Sequence, residues 1–249
     1  MRNSKFFIIC VVFFVSACAT TPSVEDIKKA EVHYKLGFSY LAKEQLHEAF
    51  IEFQKAIKLN PEDKLSLNAL GYISARFKEY NEAISYYKRA ISIDTNDSDT
   101  MNNLGVTYLE IEHWDEAIKY FEMALKNPLY ATPEKAYANI GYALYKKGDY
   151  SAAVTTLKEA SQKYSNYPQH FYVLGIVYMK LGKYEAAIDE FKKAMNIAPE
   201  YIDVHWELAH AYLKTGNKEK AFKHFKIVAE SGGNNEKSRE ASKYIELLK

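Results

Sequence analysis

The sequence is poor in the residues and motifs from which catalytic and metal sites are assembled. Two cysteines in 249 residues provide no disulfide framework. The seven histidines are scattered. The closest pair, His205 and His210, stands five residues apart and so does not share a helical face. No glycine-rich phosphate loop occurs, because Gly182-Lys183 is followed by Tyr184 where a hydroxyl is required. Nucleophile-elbow and HExxH patterns are absent as well. These absences leave no enzyme, metal or cofactor to expect. Charge of one sign is also lacking: 33 basic residues face 32 acidic ones. A nucleic-acid ligand, whose binding rests on neutralising phosphates, is not expected. No small-molecule substrate is implied either.

Long apolar runs are missing too. The run over 6–15 is ten residues long, half of the roughly 20 that a spanning helix needs. Arg2 and Lys5 precede or open it and the small residues Ser16 and Ala17 follow, the layout of a secretory signal peptide over 1–17. Val15-Ser16-Ala17-Cys18 resembles a bacterial lipobox, whose cysteine takes a diacylglyceryl group and becomes the new N-terminus. The plainer alternative is an ordinary signal peptide that contains a cysteine. A lipid on Cys18 would anchor the chain lastingly, at about 0.8 kcal/mol per buried methylene. Ala19, where aspartate marks inner-membrane retention in Gram-negative lipoproteins, implies the periplasmic face of the outer membrane. Residues 18–23 then form a short lipidated tether. Losing Arg2 and Lys5 leaves 31 basic against 32 acidic residues.

What the chain does have is a period. Gly37, Gly71, Gly105, Gly141, Gly175 and Ala209 recur every 34 residues, with one interval of 36. Ala49, Ala83, Ala117, Ala153, Ala187 and Ala221 keep the same intervals. The first unit carries Leu36-Gly37, Tyr40, Ala49, Phe53, Ala56 and Pro61, the 34-residue tetratricopeptide pattern. Leu, Gly and Tyr stripe one helix, Ala, Phe and Ala a second, and the small residues mark close crossings. The expected fold is all-α: a right-handed superhelical tetratricopeptide-repeat solenoid over 24–249. Its six helix-turn-helix repeats fall at about 30–63, 64–97, 98–131, 134–167, 168–201 and 202–235. Ser23 to Asp26 reads as a capping box that starts an extended first helix. A solvating, capping helix over about 236–248 closes the other end. Glycines at 148, 182 and 216 suit left-handed caps.

A solenoid offers a concave surface, and in tetratricopeptide arrays first-helix positions 5, 9, 12 and 13 line it. Position 5 holds Tyr34, Asn68, Asn102, Ala138, Tyr172 and Trp206. Position 9 holds Phe38, Tyr72, Val106, Tyr142, Ile176 and His210, and position 12 adds Leu41, Leu109, Tyr145, Met179 and Leu213. Stacking does not require so apolar a groove, which therefore points to a protein partner that buries it. The alternative is that neighbouring helices, or the N-terminal helix folding back, cover part of it. Arg76, Lys146, Lys180 and Lys214 at position 13 make a basic rim, either facing an acidic stretch of the partner or simply solvated. Chaperone adaptors that grip a terminal carboxylate carry Lys at position 5 and Asn at position 9. No unit here does.

The interval of 36 falls within Asn127 to Gly141, NPLYATPEKAYANIG. This stretch, with Asn102, Asn103 and Gly105 before it, Asn139 and Gly141 closing it, and the glycine-rich turn 231–235, resembles the PilF/PilW/Tgl-type lipoproteins of type IV pilus biogenesis. Those are six-repeat outer-membrane pilotins, and the likeness extends over the whole mature chain. The resemblance implies that the chain binds the secretin of a type IV pilus and promotes its outer-membrane localisation and multimerisation. The alternative is a repeat lipoprotein scaffold for another envelope machine, serving outer-membrane protein insertion or peptidoglycan enzymes.

Overall fold

The computed structural model describes residues 21–231 and 236–249. The leader over 1–17, Cys18 and the turn residues 232–235 lie outside the described residues. Among those described are thirteen α-helices and no strand. None of these helices is long and apolar enough to cross a membrane. By internal packing the chain divides into two compact units, one through Pro61 and one from Glu62 onward.

The described part of the first unit is a helical hairpin, α1 (Val24–Leu41) and α2 (Leu46–Leu59). Ser23 Oγ accepts from the Asp26 amide at 3.1 Å while the Asp26 carboxylate accepts from the Ser23 amide at 3.2 Å. That reciprocal box satisfies two amides that an open helix end would leave bare. Ala49, Phe53 and Ala56 of α2 are fully buried against α1.

The second unit continues with five hairpins and a last helix. They are α3 (Lys64–Arg76) with α4 (Tyr80–Ile93), α5 (Ser98–Glu110) with α6 (Trp114–Leu125), and α7 (Pro133–Lys147) with α8 (Tyr150–Lys163). Then come α9 (Pro168–Lys180) with α10 (Tyr184–Ile197), α11 (Ile202–Lys214) with α12 (Lys218–Glu230), and finally α13 (Glu236–Leu248). The periodic letters explain the crossings. In four hairpins, a glycine of the first helix lies under a large side chain of the second: Gly71 under Tyr87, Gly105 under Phe121, Gly141 under Leu157, Gly175 under Phe191. Around these contacts the core forms two clusters, one from Ala83 to Ile140 and one from Ala153 to Ala241.

The turn between paired helices needs one left-handed residue. Gly148, Gly182 and Gly216 supply it in the last three repeats, at φ of 90°, 71° and 78°. At the equivalent site of the first three repeats stand Glu44, Lys78 and Glu112, at φ of 57°, 64° and 61°. These turns keep the geometry without the residue that adopts it freely.

The irregular interval is a rebuilt junction. Helix α6 stops at Leu125 after 12 residues, and α7 begins early, with Pro133 in its first turn, and runs for 15. Between them the Asn127 side chain accepts from the Leu129 amide at 3.0 Å and donates to the Asn96 carbonyl at 3.0 Å, which fixes the turn. The turn pushes Tyr130 into the core against the packing of Ala136 and Ile140 and leaves Leu129 88% exposed.

Candidate functional site

In the first unit, Phe38 is 58% exposed, while Tyr34 is half-buried with its ring 6.0 Å from Phe53 and 6.4 Å from Phe38. Leu41 is partly buried.

In the second unit, the position-9 side chains Tyr72, Val106 and Tyr142 are exposed on α3, α5 and α7. Arg76 braces the first of these: its Nη1 donates to the Tyr72 hydroxyl at 2.8 Å and its guanidinium lies 5.8 Å from the ring centre. Tyr142 is paired with the half-buried Tyr145, ring centres 6.1 Å apart. Burial raises the Tyr145 pKa, with its neighbours Tyr150 and Tyr142 adding to the shift, so the hydroxyl stays protonated. Farther along, Ile176 and His210 at the same position are only partly exposed, as are Leu109, Met179 and Leu213 at position 12. The basic rim residues Arg76, Lys146, Lys180 and Lys214 are all exposed. Lys146 lies 5.7 Å over the Trp114 ring.

Position 5 behaves differently, because it faces the next repeat. At two junctions of the second unit a position-5 side chain meets position 6 of the next repeat's first helix, and the residues at these two positions change character along the unit. Asn103 Nδ2 donates to Asn68 Oδ1 at 3.2 Å, and Asn139 Nδ2 donates to Asn102 Oδ1 at 3.3 Å. The next pair of positions holds Ala138 and Val173, both buried, so Ala138 contributes no surface. The last pair is Tyr172 and Glu207, coupled electrostatically: burial first, then the Glu207 charge, drives the Tyr172 pKa upward. Asn103, Asn139 and Glu207 thus belong to this face, although the position numbers 5, 9, 12 and 13 omit them. An alignment of position 6 across the repeats would have found them.

At the end of the unit the capping helix closes part of the face. Tyr244 of α13 stacks on Phe225 at 4.6 Å and meets Trp206 at 6.2 Å and His210 at 5.2 Å. Trp206 and His210 are themselves in edge contact at 4.5 Å. Burial holds the His210 pKa below its usual value. These two residues therefore pack under α13, and the open part of the face runs from α3 to α9. Beside α13 itself is a shallow depression of about 740 Å³, lined by Arg239, Glu240 and Tyr244 among others.

Deeper in the last hairpin, His205 Nε2 lies 2.8 Å from the Pro199 carbonyl and its Nδ1 2.9 Å from Nδ1 of His224. A carbonyl only accepts, so His205 donates through Nε2. In the neutral pair its Nδ1 then accepts from His224. Burial, with the nearby His205, pushes the His224 pKa down to about 4. Two imidazoles make no metal site alone, and among the described residues no cluster of three or more His, Cys, Asp or Glu could hold an ion.

Comparison with known proteins agrees with this geometry. Tetratricopeptide-repeat family models match residues 30–63, 65–128 and 141–216, and leave between the last two the rebuilt junction. The chain is similar in structure to PilW, described as a widely conserved type IV pilus biogenesis factor. That match has a TM-score of 0.76 and 22% identity over 86% of this chain and 98% of PilW. It is similar to pilF of Pseudomonas aeruginosa with a TM-score of 0.71, at 16% identity over 88% of this chain and 99% of that one. A tetratricopeptide-repeat protein from Parabacteroides merdae also matches, with a TM-score of 0.64 and 17% identity over 89% and 99% of the two chains. At these identities the likeness is one of fold. No curated protein matches the chain in sequence.

Proposed function

We propose that this chain, which belongs to the tetratricopeptide-repeat family, works as a lipid-anchored pilotin at the periplasmic face of the outer membrane. It binds the secretin subunit of a type IV pilus there and promotes assembly of the secretin ring. The observation that carries the reading is the end-to-end correspondence with PilW, 98% of whose length is covered, in a chain whose residues 15–18 resemble a lipobox ahead of its repeats. The parts suit the task. A lipid on Cys18 confines the protein to the membrane plane. The exposed side chains of α3, α5 and α7 offer a client segment an aromatic and apolar surface. Confinement raises the effective concentration of client and chaperone without any new contact.

The test is a crosslinked pull-down of the lipidated protein from native membranes, read by mass spectrometry, beside a Tyr72→Ala/Tyr142→Ala variant. Secretin recovered with the unaltered protein and lost with the variant supports both role and surface. Equal recovery with both keeps the role and moves the site. The Parabacteroides merdae protein, matched over 99% of its length, shares the architecture as well. Recovery of barrel-insertion subunits or peptidoglycan enzymes instead of secretin would establish a scaffold for another envelope machine.

A further inference from the structure

The first helix leaves exposed what its counterparts bury. Position 7 of the repeat holds Leu104, Ile140, Leu174 and Leu208 on α5, α7, α9 and α11, each at most 6% exposed. Position 3 of the same four helices, from Thr100 to Val204, is fully buried. Each of these helices packs against its own partner and against the second helix of the repeat before it. On α1 the same two positions hold Leu36, 41% exposed, and Val32, 63% exposed. Both keep apolar surface in water, whose burial would contribute about 25 cal/mol per Å².

The residues in line with them identify what stacks there. Glu25, Lys29, Val32, Leu36, Ser39 and Lys43 follow one another at steps of 4, 3, 4, 3 and 4, and all six are exposed. That alternation is the seam of a helix that pairs with another helix. Helix α1 ends at Leu41, and its turn continues to Lys43, whose amide donates to the Tyr40 carbonyl at 3.0 Å.

The seam is symmetric about position 34. Laid antiparallel against a second copy, it sets Val32 opposite the second copy's Leu36, Glu25 opposite its Lys43 and Lys29 opposite its Ser39, each of them twice. Apolar residues then meet at the centre and opposite charges at both ends. Glu25 already holds Lys29 of its own helix at 2.7 Å, and Lys43 adds a second cation. Lys35, beside the two-fold axis, keeps its own counter-ion Glu31 at 2.6 Å. Parallel pairing would instead set Glu25 against Glu25 and Lys29 against Lys29.

We propose that α1 is a self-association surface, on which two copies of this chain pair antiparallel about a two-fold axis at position 34. The paired helices, about 27 Å long, bury less than the roughly 800 Å² per partner of a standard interface. The dimer is therefore a weak one that forms where the protein is concentrated.

The test uses the purified full chain carrying Cys10→Ser and Cys18→Ser, so that only introduced thiols react. Lys29→Cys and Ser39→Cys are made in this background and oxidised with copper phenanthroline, each alone and then mixed. Positions 29 and 39 face each other in the antiparallel pair. Two copies of position 29 stand ten residues apart, about 15 Å, beyond the roughly 7 Å between α-carbons that a disulfide spans. A covalent dimer should form in the mixture and not from either variant alone. Adding Val32→Asp to both chains should reduce it about ten-fold, through loss of the apolar centre. An unchanged melting temperature, expected for so exposed a side chain, excludes misfolding as the cause. No dimer in the mixture overturns the proposal and leaves α1 to a different protein or to a lipid surface. Equal dimer from either variant alone overturns the antiparallel register, and a product insensitive to Val32→Asp overturns the seam.

Discussion

A methyl group placed on Gly105 would stand 2.5 Å from Cε1 of Phe121, closer than van der Waals contact allows. The same construction on Gly37 gives 2.9 Å to Phe53. Two effects compete in a glycine-to-alanine change at these sites. Helix propensity favours alanine by about 1 kcal/mol. Forcing the ring aside costs about 1–3 kcal/mol. Gly105→Ala should therefore lose about 1 kcal/mol net in chemical denaturation, with Gly37→Ala closer to neutral. A gain in stability from Gly105→Ala would show that the ring moves freely.

The three left-handed turns without glycine offer the reverse experiment. At Lys78 and Glu112 the backbone sits at φ of 64° and 61°, at a steric cost of about 1–2 kcal/mol for a side chain with a β-carbon. Lys78→Gly and Glu112→Gly should each raise stability by about 0.5–1 kcal/mol, the relief of strain reduced by the extra freedom of glycine in the unfolded chain. Gly148→Ala should lower it. Melting temperatures of the three variants decide the matter.

Acid should loosen the last hairpin. His224 is neutral in the fold, with a pKa near 4, while an unfolded histidine titrates near 6.5. Between those values the unfolded chain binds the extra proton, so stability falls as pH falls. The contribution is fully present above pH 6.5 and is lost on the order of 2 kcal/mol by pH 4. His170, whose pKa burial also lowers, adds to the same slope. Denaturation midpoints from pH 7 to 4 should decline less steeply in His224→Gln; an unchanged slope would assign the acid sensitivity elsewhere.

At the rebuilt junction, Tyr130 and Leu129 should part ways. The Tyr130 ring is buried, yet among the described residues its hydroxyl makes no hydrogen bond of good geometry, with the Thr132 side chain only nearby. Tyr130→Ala should cost about 3–4 kcal/mol, as emptying a core site does. Tyr130→Phe should be neutral or slightly stabilising, since a buried unpaired hydroxyl is removed. Leu129→Ser should leave stability unchanged, given its exposure. If Leu129→Ser instead weakens client capture in the membrane pull-down, the junction is also part of the docking surface.

The helices were readable because their signal is local and repeated. Small and aromatic residues at fixed spacing fix the crossing inside each hairpin, and Ser23 and Asp26 announce the first helix in four letters. The site was less readable because it depends on contacts between hairpins. Nothing within the fourth repeat shows that Ala138 lies buried; Val173, 35 residues later, does. The cover over Trp206 and His210 comes from Tyr244, on a helix whose own pattern reads only as solvating. The left-handed turns at Glu44, Lys78 and Glu112 were hidden for the opposite reason: the residue type argues against the geometry, and the geometry of the repeat prevails.

The changing pairs between position 5 and position 6 have one more consequence. From α3 toward α11, these pairs run from two amide bridges, through the buried Ala138 and Val173, to the partly buried Tyr172 and Glu207. That order is not its own mirror image. A segment threaded one way meets the amides first; threaded backwards it meets the acidic end first. The surface has a polarity, and a segment and its reversal are two different ligands.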